Sequence, residues 1–528
     1  MKLKDIKSPG FNPAEWEAKG YQLPKFDVEA VARKTHDQPT WVHFGGGNIF
    51  RAFLAAMLND LLNEGKYDRG LIVAGIHDYE VLEKVFFPYD NLTLLVSLKA
   101  SGAVEKKVIA SVTEALKADF QFEDWGRMVE IFRNPSLQMI SFTITEKGYV
   151  VPPEDLERGL RPESAMGKVT ALLLERYRAG ELPLTVQSMD NCSHNGDRIR
   201  DAVLSFASKW VKEGLAEEGF VNYLEDGSKV TFPWSMIDKI TPRPHVKVKE
   251  LLDADGFADC GFIETRKHAF IAPFVNAEEV QYLVVEDNYT NGRPPLDLCG
   301  TLFTTRETVD KVETMKVMTC LNPLHTSMAL FGCLLGYNLI SAEMADGDIR
   351  QLVQKLGYME AMPVVTDPGI LNPYEFIGTV INKRLPNPFM PDAPQRIAVD
   401  TSQKLPIRFG GTVRKYLERG LDTDNLVLIP LVFAAYARYL KGIDDKGDRF
   451  DPSPDPLLEE LQAIVSPLEL GRPDQDWSRL RKLFSRKDVF GLDLYEAGLG
   501  ERTEGYVREL YAGPGAVRST LHKYVSQR

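Results

Sequence analysis

Apolar residues in the first half of the chain alternate between short continuous runs and longer stretches with helical spacing. The stretches, such as residues 50–65, place apolar side chains three and four positions apart and predict helices. The short runs are rich in β-branched and aromatic residues and predict buried strands; they lie at 41–44, 71–76, 92–98, 137–145, 182–189 and, as a looser group, about 262–286. Strands that alternate with helices are typical of a parallel sheet covered on both faces.

The pattern changes around NYTNGRPPLDL (288–298), where turn-forming residues and prolines cluster. Beyond this segment the apolar stretches have mostly helical spacing, and no internal repeat is apparent. We therefore expect an α/β domain at residues 1–290 and an all-helical domain at residues 291–528.

Composition and charge narrow the class of protein. The chain carries 75 Asp plus Glu against 63 Lys plus Arg, a net charge of −12, which argues against a nucleic-acid partner. Its five cysteines are scattered and lack C-x-x-C spacing, so we expect neither a disulfide framework nor a zinc knuckle. The N-terminus lacks the apolar stretch of a signal peptide, and no run approaches the roughly 20 apolar residues of a membrane span. We expect a cytoplasmic protein without a membrane partner.

Three consecutive glycines, Gly45, Gly46 and Gly47, stand between a predicted strand and a predicted helix. In that context glycine lets backbone N–H groups approach a diphosphate, which then lies at the helix N-terminus. Phe50 occupies the place of the third glycine of the G-x-G-x-x-G pattern. The turn alone is therefore compatible with a dinucleotide site and with an ordinary chain reversal.

An acid, Asp78, closes the second predicted strand, next to His77. Dinucleotide-binding folds place a carboxylate there to accept hydrogen bonds from the adenosine ribose hydroxyls. A carboxylate at this point would repel a 2′-phosphate and so favours NAD over NADP. The alternative is a solvated acid at a strand end.

Lys316, Asn322 and His325 interrupt an otherwise apolar segment, residues 312–332. Burial lowers the pKa of a lysine, which is how lysine becomes a base near neutral pH. An asparagine amide can donate to a ketone or alkoxide oxygen. A core helix with a snorkelling lysine and a hydrogen-bonded histidine would give the same pattern.

Helical geometry constrains how these residues come together. Six residues of a regular helix turn Lys316 by about 240° relative to Asn322, so one continuous helix would not align them. Pro323 suits the first position of a new helix with Asn322 as its N-cap, which leaves Lys316 on the preceding element. Glu313 lies on the same helical face as Lys316 if that element is helical.

Taken together, these segments resemble the polyol-specific long-chain dehydrogenase/reductase family. GGGNIFRAF (45–53) is similar to the family's G-x-G-x-F-H-R-A-H, and 312–332 resembles its K-x-x-x-L-N-x-x-H-S. Further matches in the same order are TITEKGY (143–149), SMDNCSHNG (188–196), MIDKITP (236–242), RLPNPFMPD (384–392) and DTSQKLPIR (400–408). The form KVMTCLNPLHT of the lysine segment is most similar to the fructuronate reductase (mannonate oxidoreductase) branch of the family.

This resemblance implies a Rossmann-like first domain, a helical substrate domain, and metal-free hydride transfer with NAD between a secondary alcohol and a ketose. It implies cofactor contacts at Gly45, Gly47, Asn48, Ile49, Phe50, Arg51, Asp78 and Asp238.

The resemblance also assigns roles to the polar residues of the lysine segment and its neighbours. Lys316 would be the general base or proton donor, and Asn191 and Asn322 would form an oxyanion hole. His325 would orient substrate oxygens, and Glu313 would gate the proton path to solvent. Arg384 would contact substrate.

Some positions depart from the family pattern. Six residues rather than five separate Lys316 from Asn322, Phe53 replaces a histidine, and Lys239 replaces an arginine. A sugar-acid substrate would need a further cation to bind its carboxylate, and the candidates are Arg384, Lys404 and Arg408.

Three alternatives stay open at this point. The substrate pair could be mannitol and fructose, or tagaturonate and altronate, rather than mannonate and fructuronate. A metal-dependent sugar-acid isomerase could use His194, His245, Asp190 and Asp238 as ligands. A nucleotide-binding sensor without catalysis could use the glycine turn alone. The sequence leaves the oligomeric state undetermined, and a monomer is compatible with it.

Overall fold

The computed structural model describes residues 1–389 and 392–527, and the chain divides into two compact units. The first unit is Met1–Asp310 and the second begins at Lys311. The division falls later than the boundary expected at residue 290. The reason is that Leu302–Thr304 forms a strand that pairs in parallel with Tyr282–Glu286, so the residues after 290 complete a sheet of the first unit.

The strands of the described residues all lie in the first unit. They are β1 (Tyr21–Gln22), β2 (Trp41–Phe44), β3 (Leu71–Gly75), β4 (Thr93–Leu98), β5 (Val104–Ile109), β6 (Val112–Lys117), β7 (Met139–Phe142), β8 (Leu184–Ser188), β9 (Val230–Thr231), β10 (Ser235–Asp238), β11 (Ile263–Glu264), β12 (Phe270–Ile271), β13 (Phe274–Glu278), β14 (Tyr282–Glu286) and β15 (Leu302–Thr304).

Six of these strands form a parallel sheet in the order β6-β3-β2-β7-β8-β9. Numbered within the sheet, this is the 3-2-1-4-5-6 order of a Rossmann fold, which confirms the predicted fold class. Alternate side chains enter cores on opposite faces: Val42 and Phe44 on one, Trp41 on the other. The strand order reverses between β2 and β7, and a ligand crevice is expected at their carboxyl ends.

The remaining strands form three smaller sheets. These are β1-β5-β4-β13, β10-β14-β15 and the hairpin β11-β12. The run at 92–98 is a strand as predicted, but it pairs with β5 and with the distant β13 instead of joining the central sheet.

Helices cover the faces of the central sheet. The α-helices of this unit are Pro13–Glu17, Val28–Asp37, Ala55–Asn63, Glu80–Val85, Asp124–Arg133, Pro153–Leu156, Ala165–Arg178, Asn195–Lys212, Gly219–Glu225 and Val246–Asp255. A π-helix spans Phe50–Leu54, and 3₁₀ turns span Leu3–Lys7, Phe87–Tyr89, Glu146–Tyr149 and Leu296–Cys299. The helix Arg306–Met315 contains the division between the units.

The second unit is helical, as expected, around the completely buried helix Leu428–Leu440. Its other α-helices are Asn322–Leu335, Ile340–Ala345, Gly347–Lys355, Pro373–Thr379, Pro394–Ile397, Thr401–Leu405, Gly411–Glu418, Leu458–Val465, Arg479–Phe484, Lys487–Phe490, Gly500–Leu510 and Ala516–Ser526. The π-helices are Lys316–Cys320, Leu356–Ala361, Val380–Arg384 and Pro406–Gly410, and the 3₁₀ turns are Met362–Val364 and Thr423–Asn425.

Two expectations from composition can be compared with the structure. All five cysteines are free thiols, as predicted. The continuous helical stretch Arg306–Leu335 is long and apolar enough for a membrane span by length and composition, which the apolar runs had not predicted. Because 78% of its most apolar window is buried inside the protein, it also fits the core helix of a globular protein.

Candidate functional site

The glycine turn joins β2 to the helix that begins at Asn48. Gly45 has φ 109°, and a Cβ there would lie 2.4 Å from the Thr143 carbonyl oxygen, so only glycine fits. At Gly47, by contrast, a Cβ would meet no atom of the described part of the chain within 4 Å. Packing does not require glycine at this position, and the open space above the backbone is what the close approach of a diphosphate needs.

Phe50 fills the place of the third glycine by a different packing arrangement. Its ring is buried and stacks on His43 of β2, with ring centroids 4.5 Å apart. Burial lowers the pKa of His43 to about 3, so this imidazole is neutral. The helix therefore packs on the strand through two rings, at the start of the π-helix Phe50–Leu54.

Asn48 and Arg51, both predicted cofactor contacts, support the turn from inside. The buried Arg51 guanidinium donates from Nη2 to Asn48 Oδ1 (2.9 Å) and from Nη1 to the Ala272 carbonyl (2.8 Å). Burial lowers the pKa of Arg51 to about 9. Arg51 thus ties the turn to the chain between β12 and β13.

Asp78 lies three residues beyond the end of β3, slightly later than predicted, because the strand ends at Gly75. Thr265 Oγ1, from the turn between β11 and β12, donates to Asp78 Oδ2 at 2.6 Å. A cavity of about 660 Å³ opens beside it at the carboxyl ends of β3 and β6, lined in part by His77, Tyr79 and Lys267. This position fits the acid that binds an adenosine ribose.

A second cavity, of about 220 Å³, brings predicted site residues of the first unit together. Ile49, Asn191 and Asp238 line it, together with Lys239 and Asp190. Lys239 Nζ lies 5.5 Å from the centroid of the Phe53 ring, a cation–π geometry. Two of the three departures from the family pattern therefore contact each other.

Lys316 is 2% exposed and begins the π-helix Lys316–Cys320. The N–H of Leu321 donates to the Lys316 carbonyl at 3.1 Å, across five residues. A π turn holds one residue more than an α turn, so it accommodates the six-residue offset between Lys316 and Asn322. Glu313 lies in the preceding helix Arg306–Met315.

Asn322 opens the helix Asn322–Leu335, with Pro323 in its first turn as predicted. The predicted N-cap role of Asn322 is wrong: Leu321 is the N-cap, and no side chain among the described residues caps this end. Arg408 supports the first turn instead, donating from Nη1 to Thr326 Oγ1 at 2.5 Å and, more weakly, to the Asn322 carbonyl at 3.4 Å. The side-chain amide of Asn322 is therefore not used to cap the helix.

The buried His325 ring lies near one carboxylate and three guanidinium groups. Burial lowers its pKa to about 4; Asp392 opposes that shift, whereas Arg408, Arg384 and Arg396 add to it. The imidazole is therefore neutral at neutral pH. Asp392 has the largest single charge effect on it, and Arg408, Arg384 and Arg396, which pairs with Asp392, act in the opposite direction. A small anion is the ligand that this environment favours.

Two of the predicted substrate cations differ in how they are held. Arg384 ends the π-helix Val380–Arg384 and is 3% exposed. Lys404 donates to the carbonyl oxygens of Ile397 and Val399, and burial together with Arg408 lowers its pKa to about 8. Lys404 therefore stabilises the neighbouring backbone at residues 397–399.

The two histidines among the four proposed metal ligands each have another contact in the structure. His194 stacks on Trp234 with ring centroids 4.1 Å apart, and His245 accepts from the Lys247 N–H at the start of a helix. Within residues 1–389 and 392–527, no three His, Cys, Asp or Glu side chains are grouped to hold a metal ion. The ligand set of the isomerase hypothesis is thus not assembled in the described part of the chain.

Asp190 was considered from the sequence only as part of a motif and as a metal ligand in the isomerase hypothesis, and the structure gives it a different role. Its buried carboxylate accepts from the Tyr149 hydroxyl (2.6 Å) and from the N–H groups of Ile144 (2.8 Å) and Thr145 (3.0 Å). Burial raises the pKa of Asp190, and these hydrogen bonds oppose the rise. The shared occurrence of Asp190 and Tyr149 in two matched motifs was the only available signal.

Comparison with known sequences covers most of the chain. The profile described as the mannitol dehydrogenase Rossmann domain matches residues 39–298, and that of the mannitol dehydrogenase C-terminal domain matches residues 308–509. The chain is 51% identical to D-mannonate oxidoreductase of Thermotoga maritima, over 97% of each protein.

Solved structures with the same fold are also polyol dehydrogenases by name. Mannitol 2-dehydrogenase of Pseudomonas fluorescens, in a ternary complex with NAD and D-mannitol, superposes with a TM-score of 0.72 at 25% identity, covering 100% of both chains. D-Sorbitol dehydrogenase in a substrate-free form gives 0.77 at 25% identity, covering 95% of this chain and 97% of that one.

Proposed function

Because this chain belongs to the mannitol dehydrogenase family, we propose that it is an NAD-dependent oxidoreductase that interconverts D-mannonate and D-fructuronate. The Thermotoga relative named for D-mannonate covers nearly the whole length at 51% identity. This proposal implies that the protein acts in sugar-acid metabolism in the cytoplasm.

The observation that carries the substrate class is the charge around His325. Asp392 pairs with Arg396, and Arg384 and Arg408 are the further cations that act on this ring, so the surroundings favour a negatively charged ligand. Mannonate and fructuronate each carry a carboxylate, whereas mannitol and fructose are neutral. A guanidinium binds a carboxylate through two parallel hydrogen bonds, and we assign that contact to the buried Arg384.

The first unit has the features that NAD requires. The open backbone at Gly47 and the helix that follows would hold the diphosphate, and Asp78 would hold the adenosine ribose. Ile49, Asn191 and Asp238 line the cavity assigned to the nicotinamide end. When bound, NAD supplies the acceptor or donor of hydride.

Lys316 is the residue assigned to the proton. In alcohol oxidation its neutral amine would take the hydroxyl proton, and in ketone reduction its ammonium would return it. Asn322 and Asn191 would donate amide hydrogen bonds to the reacting oxygen, which favours the alkoxide character that develops there. The neutral His325 can both donate and accept, so it would orient a substrate hydroxyl. Glu313, three residues before Lys316, would pass the proton to solvent.

A panel of sugar acids and polyols, each assayed with both nicotinamide cofactors, tests the assignment. We expect NADH oxidation with fructuronate and NAD reduction with mannonate, with kcat/KM at least about 100-fold above those for fructose and mannitol. Turnover of tagaturonate or fructose without fructuronate would reassign the substrate within the family. NADH binding without turnover of any member would favour the sensor hypothesis, and activity restored by a divalent metal after chelation would favour the isomerase.

A further inference from the structure

The carboxylate of Asp190 joins two loops that follow neighbouring strands of the central sheet. Asp190 comes directly after Met189 at the end of β8, and its three donors lie in the loop 143–149 after β7. Both carboxylate oxygens are used: Oδ1 accepts from Thr145, and Oδ2 accepts from Ile144 and Tyr149. At 8% exposure, Asp190 has little water to compensate for any donor that is lost.

Thr145 is held in a conformation that a β-branched residue normally avoids. Its φ of 65° and ψ of 164° lie in a region that is essentially restricted to glycine. The Thr145 side chain is exposed, so packing does not enforce this conformation. Its N–H donates to Asp190 and its carbonyl accepts from the Gly148 N–H at 3.0 Å. Hydrogen bonds on both sides of Thr145 therefore hold the strained geometry.

The backbone of Asp190 is fixed as well as its side chain. Its N–H donates to Ser188 Oγ at 3.2 Å. Its carbonyl accepts from the Cys192 N–H at 2.9 Å and from the Asn195 amide at 3.0 Å. These bonds hold the chain on both sides of Asn191, the residue assigned to the reacting oxygen.

The strained loop also lies against the glycine turn. The Thr143 N–H donates to the Phe44 carbonyl at 3.0 Å, and the Thr143 carbonyl occupies the space that a Cβ of Gly45 would need. One carboxylate thus connects the glycine turn, the loop 143–149 and Asn191. Backbone strain that is maintained by surrounding bonds is typical of functional sites.

We propose that Asp190 is a positioning residue, which holds the strained loop 143–149 and Asn191 in the single arrangement that hydride transfer uses. The assignment rests on the proposed oxidoreductase function. It differs from a purely structural role in one respect: the carboxylate is needed because residue 145 is strained, so removing the strain must relieve the need for the carboxylate.

The test combines two substitutions. Asp190→Asn keeps the shape of the side chain, but its amide places N–H groups opposite at least one of the present donors. Thr145→Gly removes the conformational penalty, which at such positions corresponds to a factor of roughly 5 to 150 in an equilibrium constant. Glu146→Gly is the matched control, because it adds backbone flexibility one residue away, where φ is not positive. It also removes an ion pair between Glu146 and Arg198, which is exposed and therefore contributes little to stability.

Two measurements are made on each variant. Hydrogen exchange of segment 143–149 needs no substrate, and kcat is measured together with the KM for NADH and for the sugar acid. For Asp190→Asn we expect the hydrogen-exchange rate of segment 143–149 to rise and kcat to fall, each by about tenfold or more. Both KM values should stay within about threefold of wild type. In Asp190→Asn/Thr145→Gly both exchange protection and kcat should recover by about fivefold or more, and Asp190→Asn/Glu146→Gly should recover neither.

A double variant with Thr145→Gly that is no better than Asp190→Asn would overturn the proposal, and so would equal rescue by Glu146→Gly. If the wild-type protein turns over no sugar acid or polyol, the proposed function fails. The exchange data then decide separately whether Asp190 holds the strained loop.

Discussion

The backbone N–H of Leu321 is hydrogen-bonded to the carbonyl oxygen of Lys316 at 3.1 Å, which closes a π turn between the proposed proton carrier and Asn322. The turn contains one residue more than an α-helical turn. The extra residue between Lys316 and Asn322 is accommodated within this turn, and the segments on either side keep helical geometry.

Deleting Val317, a half-buried residue of this turn, should regularise the helix without displacing its flanks. We expect the deletion to keep kcat within about tenfold of wild type, because it removes only the extra residue of the π turn and leaves the helices that carry Lys316 and Asn322 in place. The matched control is deletion of Ala329 from the regular, buried helix Asn322–Leu335, which should abolish soluble expression or lower the melting temperature strongly. A Val317 deletion as inactive as a lysine substitution would mean that the π turn itself places Lys316.

Arg384→Gln should weaken binding of the sugar acid specifically. Losing a buried charged contact to a carboxylate costs about 1.5–3 kcal/mol, so the KM for fructuronate should rise by roughly 10- to 100-fold. The KM for a neutral ketose should change by less than about threefold. Arg396→Gln serves as the comparison, because Arg396 is largely exposed and pairs with Asp392. Equal loss for charged and neutral substrates would contradict the carboxylate assignment.

Asp78→Asn should relax the preference for NAD. The amide can still accept from Thr265 Oγ1, but it no longer repels a 2′-phosphate, and Lys267 lines the adjacent cavity. We expect the KM for NADPH to fall by about tenfold or more. Steady-state kinetics with both cofactors measures this, with Glu80→Gln as the control carboxylate nearby. If Asp78→Asn kept the wild-type preference for NADH over NADPH, another group would determine the choice of cofactor.

Glu343 predicts an unusual pH dependence of stability. Its carboxyl is completely buried above Gly332, and neither oxygen has a hydrogen-bond partner within the described residues. Burial, reinforced by Asp392 and Asp346, raises its pKa to about 9. Between its ordinary pKa and this value the folded protein holds a proton that the unfolded chain releases. Its contribution to stability is therefore complete at low pH and declines as the pH rises toward 9, by at most about 1.4 kcal/mol per pH unit.

Glu343→Gln mimics the protonated acid and should remove that decline. Thermal unfolding at pH 6 and at pH 8.5 should show a variant that is more stable than wild type at both, because the decline of the wild type has begun by pH 6. The difference should grow by up to about 3 kcal/mol between the two pH values. The exposed Glu459→Gln should change neither value. A glutamine variant that is destabilised at both pH values would show that the charged form is the native one.

The sequence predicted the strands β2, β3, β7 and β8 of the parallel sheet because each is a short run rich in apolar residues. The partly polar β6 and the two-residue β9 lay outside the predicted runs, and the strand order was not predicted. The sequence also did not predict that 92–98 pairs with β13, because that contact joins segments about 180 residues apart and periodicity carries no information on partners. The boundary at 290 was placed on turn-forming residues, although β15 still belongs to the first unit.

Some features of the site could be predicted from the sequence and others could not. The glycine turn, Asp78 and the lysine segment have recognisable residue types at recognisable spacing. The π turn at Lys316 depends on one extra residue whose local effect spacing alone does not reveal, so Asn322 was assigned a cap that the structure does not form. The strain at Thr145 has no sequence signal at all, since threonine is a residue that avoids this conformation.

The most direct test of the account is the rate of NADH oxidation with fructuronate by wild-type protein and by Lys316→Ala, with NADH binding measured in parallel. We predict that the alanine variant binds NADH within about threefold of wild type but turns over at least about 1,000-fold more slowly, because the group that supplies the proton is gone. An alanine variant that retains turnover close to wild type would contradict the assignment of Lys316 and the mechanism built on it.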